Sequence, residues 1–417
     1  MYIALSKNGS IMHFWQSKYY QAISGKELRK FLQKKKVVKY LYQRGYLSNS
    51  YLVKKLHLSI PTIQTILNEL ISDGIVVEQG LGDSNGGRKP NLYGLADHSL
   101  YILGIDMDKY KTRMAIYNHH NENISGTVTF DIKLENDLSV LDKIQQRAED
   151  LISHSPINRD RLIGVGIAMP GLVDSANGVN HTYLNFSEPL GQLLEERFGL
   201  AVFIENDAKA RALAEFRYGQ AEGKKNVLVL HIDWGIGLGM ILNGKLYKGN
   251  SGFAGEFSHI TISEDGVLCS CGKKGCLETI GSATALAKMA KEGLKSGEDS
   301  ILRGLVNENL EMIEATLIIE AARNGDRFAI QLLSRVGHEL GKGIAMLIQL
   351  LNPEMIIIGG EVSSGKEYIL TSLQQALFEY CIPKLREDTA LVLSKLGDDA
   401  GLLSAIAVVM ENVFDEK

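Results

Sequence analysis

Two periodicities alternate along this chain and divide it near residue 100. Before that point apolar residues recur at helical spacing. Val37, Val38 and Leu41 share one face of a helix predicted over 35–44, which Gly45 ends. Ser48 is placed to cap a short second helix, Asn49–Leu56, with Leu52, Val53 and Leu56 facing inward. After a turn at His57-Leu58, Ser59 caps a third helix that runs to about Asp73. There Ile63, Ile66, Leu67 and Leu70 recur at i, i+3, i+4 and i+7. Pro61 falls in the first turn, where a missing N–H does no harm. Gly74 stops the helix, Ile75-Val76-Val77 reads as a strand, a glycine-rich tip follows, and Asn91-Leu92-Tyr93 returns. Three helices and a β-wing predict a winged helix-turn-helix over 26–98, behind an N-terminal extension, 1–25, that the pattern leaves unassigned.

From about Tyr101 the pattern changes to short apolar runs alternating with helices. Ile102–Asp106, Arg113–Tyr117, Leu162–Ala168, Val202–Glu205, Val227–Ile232 and Met355–Ile358 read as buried strands, with a helix at about Ser139–Ser153. Such alternation predicts α/β layers. Helices near Ile313–Ala321, Ala329–Leu351 and Leu402–Val413 are apolar enough to pack lobes together or to form a dimer interface. No short internal repeat or low-complexity segment stands out.

Charge sharpens the first of these domains. Residues 26–93 carry twelve Lys or Arg against five acids, although the whole chain has a net charge of −4. A basic module on an acidic body points to a polyanion partner at one end. A third helix in the major groove would offer Pro61, Thr62, Gln64, Thr65 and Asn68 to base edges and phosphates. Gly86-Gly87-Arg88-Lys89-Pro90 would set Arg88 and Lys89 at the wing, against phosphates or in the minor groove. A trihelical protein-interaction module shares the helices, but the basic excess and basic wing favour double-stranded DNA.

Composition bounds the rest. A chain of 417 residues is too long for one core, so two or three domains are expected. Apolar content of 45% and charged content of 23% are ordinary for a soluble protein. There is no run of about 18 apolar residues, and the N-terminus lacks a basic start followed by an apolar run. A cytoplasmic protein is therefore expected. Three of the four cysteines, Cys269, Cys271 and Cys276, lie within eight residues, which favours metal over disulfides. Cys381 stands alone and reads as a small buried apolar residue.

Five blocks then carry a resemblance. They are Met169-Pro170-Gly171-Leu172-Val173-Asp174; Glu205-Asn206-Asp207-Ala208; Gly252–His259; Cys269–Glu278, a Cys-x-Cys-Gly-x-x-Gly-Cys-x-Glu element; and Gly359-Gly360. In this order they resemble the ROK family (repressor, open reading frame, kinase), whose members are sugar kinases or sugar-responsive repressors. The likeness covers about 99–417, and the preceding winged helix is the arrangement of the family's repressor branch, which includes the N-acetylglucosamine, glucose and xylose types. It implies a two-lobed actin/hexokinase-like, ribonuclease H-like fold. The lobes would span about 99–225 and 226–395, with a C-terminal helix packing back. It also implies homodimers or dimers of dimers, and leaves open a sugar-transport protein as partner.

The resemblance places a sugar or sugar phosphate among Gly171, Asn185, Asn206, Asp207, Glu256, His259 and Glu278. Carboxylates and amides suit a hexose, whose hydroxyls each donate and accept. His259, Cys269, Cys271 and Cys276 would close a tetrahedron around structural Zn2+. His259 could hold the metal through one ring nitrogen and meet a hydroxyl through the other.

In the family's kinases the residue at Asp207 is the general base. The phosphate loops depart from the kinase pattern, however. Asp-x-Gly-Gly-Thr-Lys becomes Asp106-Met107-Asp108-Lys109-Tyr110-Lys111, and Gly-Thr-Gly-x-Gly-x-Gly becomes Asp233-Trp234-Gly235-Ile236-Gly237-Leu238-Gly239. Glu361 stands where a third glycine usually follows Gly359-Gly360. A carboxylate at 233 repels triphosphate, and Trp234 is expected to occupy its space. The expectation is a sugar-responsive regulator without phosphoryl transfer, Asp207 being vestigial; the alternative is a DNA-tethered hexose kinase that uses ATP.

Overall fold

The computed structural model describes residues 24–82 and 89–414. Arg88 at the expected wing tip and nearly all of the N-terminal extension lie outside the described residues. The described residues form two compact units, one ending at Asn206 and rejoined from Gly401, the other Asp207–Ala400.

The first unit begins with α1 (Gly25–Arg44), β1 (Leu47–Ser48), α2 (Asn49–Leu56), α3 (Ile60–Ser72), β2 (Val76–Leu81) and β3 (Asn91–Leu95). Sheet order is β1-β3-β2, with antiparallel pairing throughout. Ser48 Oγ accepts from the Tyr51 N–H at 3.2 Å and Ser59 Oγ from the Thr62 N–H at 3.3 Å. Those two caps satisfy N–H groups the helices leave unpaired. Val37, Val38, Leu41, Leu52, Ile63, Ile66, Leu67 and Leu70 make the core, while Val53 and Leu56 are only half-buried. Helix α1 starts ten residues before the predicted position, 35. Its front carries a short apolar stripe, Leu28, Phe31 and Leu32, that the sequence reading missed, and Phe31 is buried. Tertiary ion pairs add to this packing: Lys30 with Glu69, and Lys34 with Glu69 at 3.0 Å and Asp73 at 3.3 Å.

The same unit continues through β4 (Tyr101–Met107), β5 (Lys111–Asn118), β6 (Val128–Asp131), α4 (Leu138–His154), β7 (Leu162–Met169), β8 (Val173–Asp174), β9 (Val179–Asn180), α5 (Leu190–Phe198) and β10 (Val202–Asn206). Five of these strands form a sheet in the order β10-β7-β4-β5-β6. β4 is antiparallel to β5 and parallel to β7, which is parallel to β10. Every residue of β4 and β7 is buried, as continuous apolar runs require when both faces are covered. One cover is the last helix, Ala400–Asn412, which lies close against Gly104 and Gly166.

The second unit repeats the plan. It holds α6 (Asp207–Tyr218), β11 (Val227–Ile232), β12 (Ile236–Leu242), β13 (Lys245–Leu246), α7 (Glu278–Gly281), α8 (Ala283–Lys295), α9 (Leu302–Leu305), α10 (Ala315–Arg323), α11 (Arg327–Leu351), β14 (Met355–Gly359), α12 (Glu367–Tyr380), α13 (Pro383–Asp388) and β15 (Ala390–Leu393). The last helix is α14. Sheet order is β13-β12-β11-β14-β15, with the same directions as in the first sheet. Helix α6 begins the second unit, although the sequence reading set the lobe boundary near 225. Its Ala208 and Ala212 seat on Gly237 and Gly239 of β12, where a Cβ on Gly237 would lie 2.4 Å from that of Ala208. Apolar residues of α10 and α11 pack into this unit's core, which also takes in Cys381, while Met346 and Leu350 of α11 stay exposed.

Candidate functional site

One cluster in the second unit joins candidate metal ligands to acids. A single turn, Phe257–His259, carries His259. It is anchored where Phe257 and Leu277 press on Gly343 of α11, a Cβ on which would meet Phe257 at 2.7 Å. His259 Nδ1 faces Cys269 Sγ at 3.5 Å, Cys271 and Cys276 sulfurs are 3.6 Å apart, and one donor atom from each of the four lies within 4.8 Å of the others. The loop closes through Cys269 N–H to Lys273 O at 2.8 Å and Lys273 Nζ to His259 O at 2.8 Å. Gly275, at φ +70°, would drive a Cβ to 1.7 Å from Ser263 O, so only glycine fits. Burial, with the Cys271 and Cys269 sulfurs beside it, pushes the Cys276 thiol up to about 12. The Lys273 N–H holds Cys271 below the usual thiol range. Three sulfurs so close would ionise together only around a cation, and this donor set suits one metal ion.

Around that cluster stand two expected sugar contacts. Glu256 Oε2 is 4.0 Å from His259 Nε2, the ring nitrogen turned away from the sulfurs. Glu278 Oε1 is 4.0 Å from Cys269 Sγ. Asp207 opens α6, its Oδ1 accepting from the Ala208 N–H at 2.8 Å. In the first unit, Asn206 Nδ2 donates to Gly171 O at 3.1 Å, bringing those two together. Asn185 is exposed, its N–H given to Asn136 Oδ1 at 2.8 Å. Sequence reasoning missed Asn180, which is fully buried and shapes the Gly171 loop. It donates to Pro170 O at 2.9 Å and accepts from the Thr182 and Tyr183 N–H groups at 2.9 and 3.1 Å. No sequence signal marks an asparagine for that role.

The altered loops have partners of their own. Asp106 is buried and takes Arg113 on one oxygen at 2.6 and 3.2 Å, while the Asp108 N–H bonds Lys111 O at 2.8 Å to close a tight hairpin. Asp233 pairs with His231 Nε2 at 2.5 Å and accepts from the Glu361 N–H. Burial alone would raise the Asp233 carboxyl; His231, the Glu361 N–H and Arg211 outweigh it and hold the group below the carboxylate range. Burial and the Asp233 charge raise the Glu361 carboxyl, which accepts from the Thr316 N–H at 3.0 Å. Trp234 is 66% exposed. Gly237 and Gly239 serve the seating of α6.

On the winged helix-turn-helix, Pro61, Thr65 and Asn68 are exposed, and Thr62 and Gln64 half-buried, along the outer face of α3. Asn49 Nδ2 donates to Gln64 Oε1 at 2.8 Å, and Gln64 Nε2 donates to Asn68 Oδ1 at 3.0 Å. Asn49, not expected from the sequence, thus fixes the orientation of Gln64. Lys89 is exposed beside Pro90, whose carbonyl takes the Gly82 N–H at 2.8 Å at the base of the wing. Among the described residues, no helix is long and apolar enough to cross a membrane.

Comparison with known proteins gives two family matches, the ROK family over residues 102–412 and a winged helix-turn-helix DNA-binding family over 32–77. The xylose repressor of Caldicellulosiruptor bescii is 32% identical, covering 93% of this chain and 97% of the relative. The glucokinase of Thermotoga maritima is also 32% identical but covers 75% of this chain and 98% of its own length. A crystal structure of a ROK family transcriptional regulator, a homologue of the Escherichia coli MLC protein, superposes with a TM-score of 0.80 at 28% identity, covering 92% of this chain and 97% of the other.

Proposed function

The chain belongs to the ROK family, and from that premise we propose that it is a sugar-responsive transcriptional repressor. It binds operator DNA through α3 and the wing and alters that binding when a sugar or sugar phosphate occupies the ROK domain. The observation that carries this reading is the joined match: a xylose repressor aligns across 93% of the chain, DNA module included, whereas a glucokinase aligns across 75%. The sugar contacts are Gly171, Asn185, Asn206, Asp207, Glu256, His259 and Glu278. Their carboxylates and amides pair with hydroxyls, and a hydroxyl missing from the ligand leaves a polar group unsatisfied. His259, Cys269, Cys271 and Cys276 hold zinc, which supplies a closed structural centre and no reactive water. With His259 Nδ1 toward Cys269 and Nε2 toward Glu256, a metal held by this cluster would help fix the ring edge that faces Glu256.

The protein acts in the cytoplasm as a dimer, two winged helices meeting two operator half-sites. Sugar changes DNA affinity only through its different affinity for two arrangements of the dimer. It is not an enzyme in this reading: Asp233, held ionised between His231 and the Glu361 N–H, stands where kinase relatives present glycine to phosphates. A second reading, a DNA-tethered hexose kinase, draws on the retained Asp207 and the glucokinase likeness. Calorimetric titration of the zinc-loaded chain with sugars and with Mg-ATP separates them. The regulator binds a sugar and leaves ATP unbound; ATP binding with ADP release on adding sugar favours the kinase.

A further inference from the structure

A second group of metal-ligating side chains stands in the first unit, away from the cysteine cluster. Asp97 belongs to the linker that leaves β3. The linker is held by the Ala96 N–H on Ile75 O at 2.9 Å and turns through the Ser99 N–H on Ala96 O at 3.0 Å. His119 and His120 belong to the turn between β5 and β6. Asn118 Oδ1 fixes that turn by accepting from the His120 and Glu122 N–H groups at 2.9 and 3.0 Å. These two segments, some twenty residues apart in sequence, bring one ring nitrogen of each histidine and one Asp97 oxygen within 4.8 Å of one another. His120 Nε2 is 3.7 Å from Asp97 Oδ1, and the two imidazole centroids are 3.9 Å apart. An ion about 2.0–2.2 Å from each donor spans such separations with small side-chain rotations.

One further fact points to a ligand. His119 Nδ1 is buried with no hydrogen-bond partner, a condition native structures seldom leave unexplained. We propose that Asp97, His119 and His120 form a second metal site, which takes a divalent transition ion of the zinc class and leaves at least one position to water. Two imidazoles and one carboxylate suit such an ion, whereas magnesium and calcium prefer all-oxygen sites. The next residue of the turn, Asn121, accepts from Tyr42 Oη of α1 at 2.7 Å. A metal here therefore clips the linker from the wing to a turn that already touches the DNA module.

The test titrates zinc into the full-length chain, its cysteine site already filled, against a chelating dye. The expected result is one further saturable zinc per chain, weakened at least tenfold in both His120→Gln and Asp97→Asn. Both side chains are exposed, so these variants fold, and the cobalt–thiolate absorption of the cysteine site, read on cobalt-loaded samples, stays unchanged. Absence of a second equivalent, or a second equivalent kept at unchanged affinity in both variants, overturns the proposal.

Discussion

His259 presents Nδ1 to the sulfur of Cys269 at 3.5 Å and, from the opposite edge of the ring, Nε2 to Glu256 at 4.0 Å. One side chain therefore links the candidate metal ligands to the acids proposed to meet sugar. Cys269→Ser is expected to lose the bound metal and to lower sugar affinity by about 10- to 100-fold, the range seen when groups supporting a metal site are disturbed. Metal analysis and calorimetry on the same sample check this. Sugar affinity unchanged after metal loss would separate the two sites.

Gly166 lies under α14, where a Cβ would stand 1.9 Å from Ala405 O. Neither the strand nor the helix backbone can yield far. Gly166→Ala is expected to destabilise the first unit by about 1–3 kcal/mol, the usual range for overpacking. The urea midpoint of the purified variant reads the change; an unshifted midpoint contradicts the packing described.

Asn49 holds Gln64, and Gln64 holds Asn68. Gln64→Ala should weaken operator binding by about 1–3 kcal/mol if Gln64 reads a base edge. Asn49→Ala should weaken it less, because it frees the Gln64 side chain without removing it. Anisotropy titrations at matched salt give both numbers. Equal affinity for wild type and Gln64→Ala would remove α3 from base readout.

Much of this was legible in the chain. The apolar stripe of α3, its Ser59 cap and the runs that became β4, β7, β11 and β14 depend on local sequence, and local sequence placed them. The front of α1 was missed although Leu28, Phe31 and Leu32 fall at i, i+3 and i+4; its ion pairs to Glu69 and Asp73, 39 residues away, were not legible. The same pairs show why counting lysines overstates the charge offered to DNA: Lys34 is engaged and Lys35 is buried. Asn180, Asn49 and His231 act by holding other residues, and no spacing rule marks such support. The glycines of the second phosphate loop were readable as a motif, but their packing role under α6 appears only in three dimensions.

Asp233 gives a pH prediction. Its folded-state carboxyl lies below the ordinary value of about 3.9, so its ionised form contributes stability. That contribution is complete above the unfolded value and is lost as pH falls toward the folded one. Wild type should therefore exceed Asp233→Asn in urea midpoint at pH 6, with the gap narrowing below about pH 4. A gap that stays constant to pH 2.5 would assign the difference to packing rather than charge.

The central claim is that sugar changes DNA binding without chemistry. Its most direct test is fluorescence anisotropy of the zinc-loaded chain on DNA from upstream of its own coding sequence. The titration is run with and without xylose, glucose, N-acetylglucosamine and their phosphates, with no ATP present. The account predicts that at least one of these shifts the apparent Kd by about 5- to 150-fold, the usual span of allosteric coupling. A Kd that no sugar moves, in a protein that turns over the same sugars once Mg-ATP is added, would contradict it.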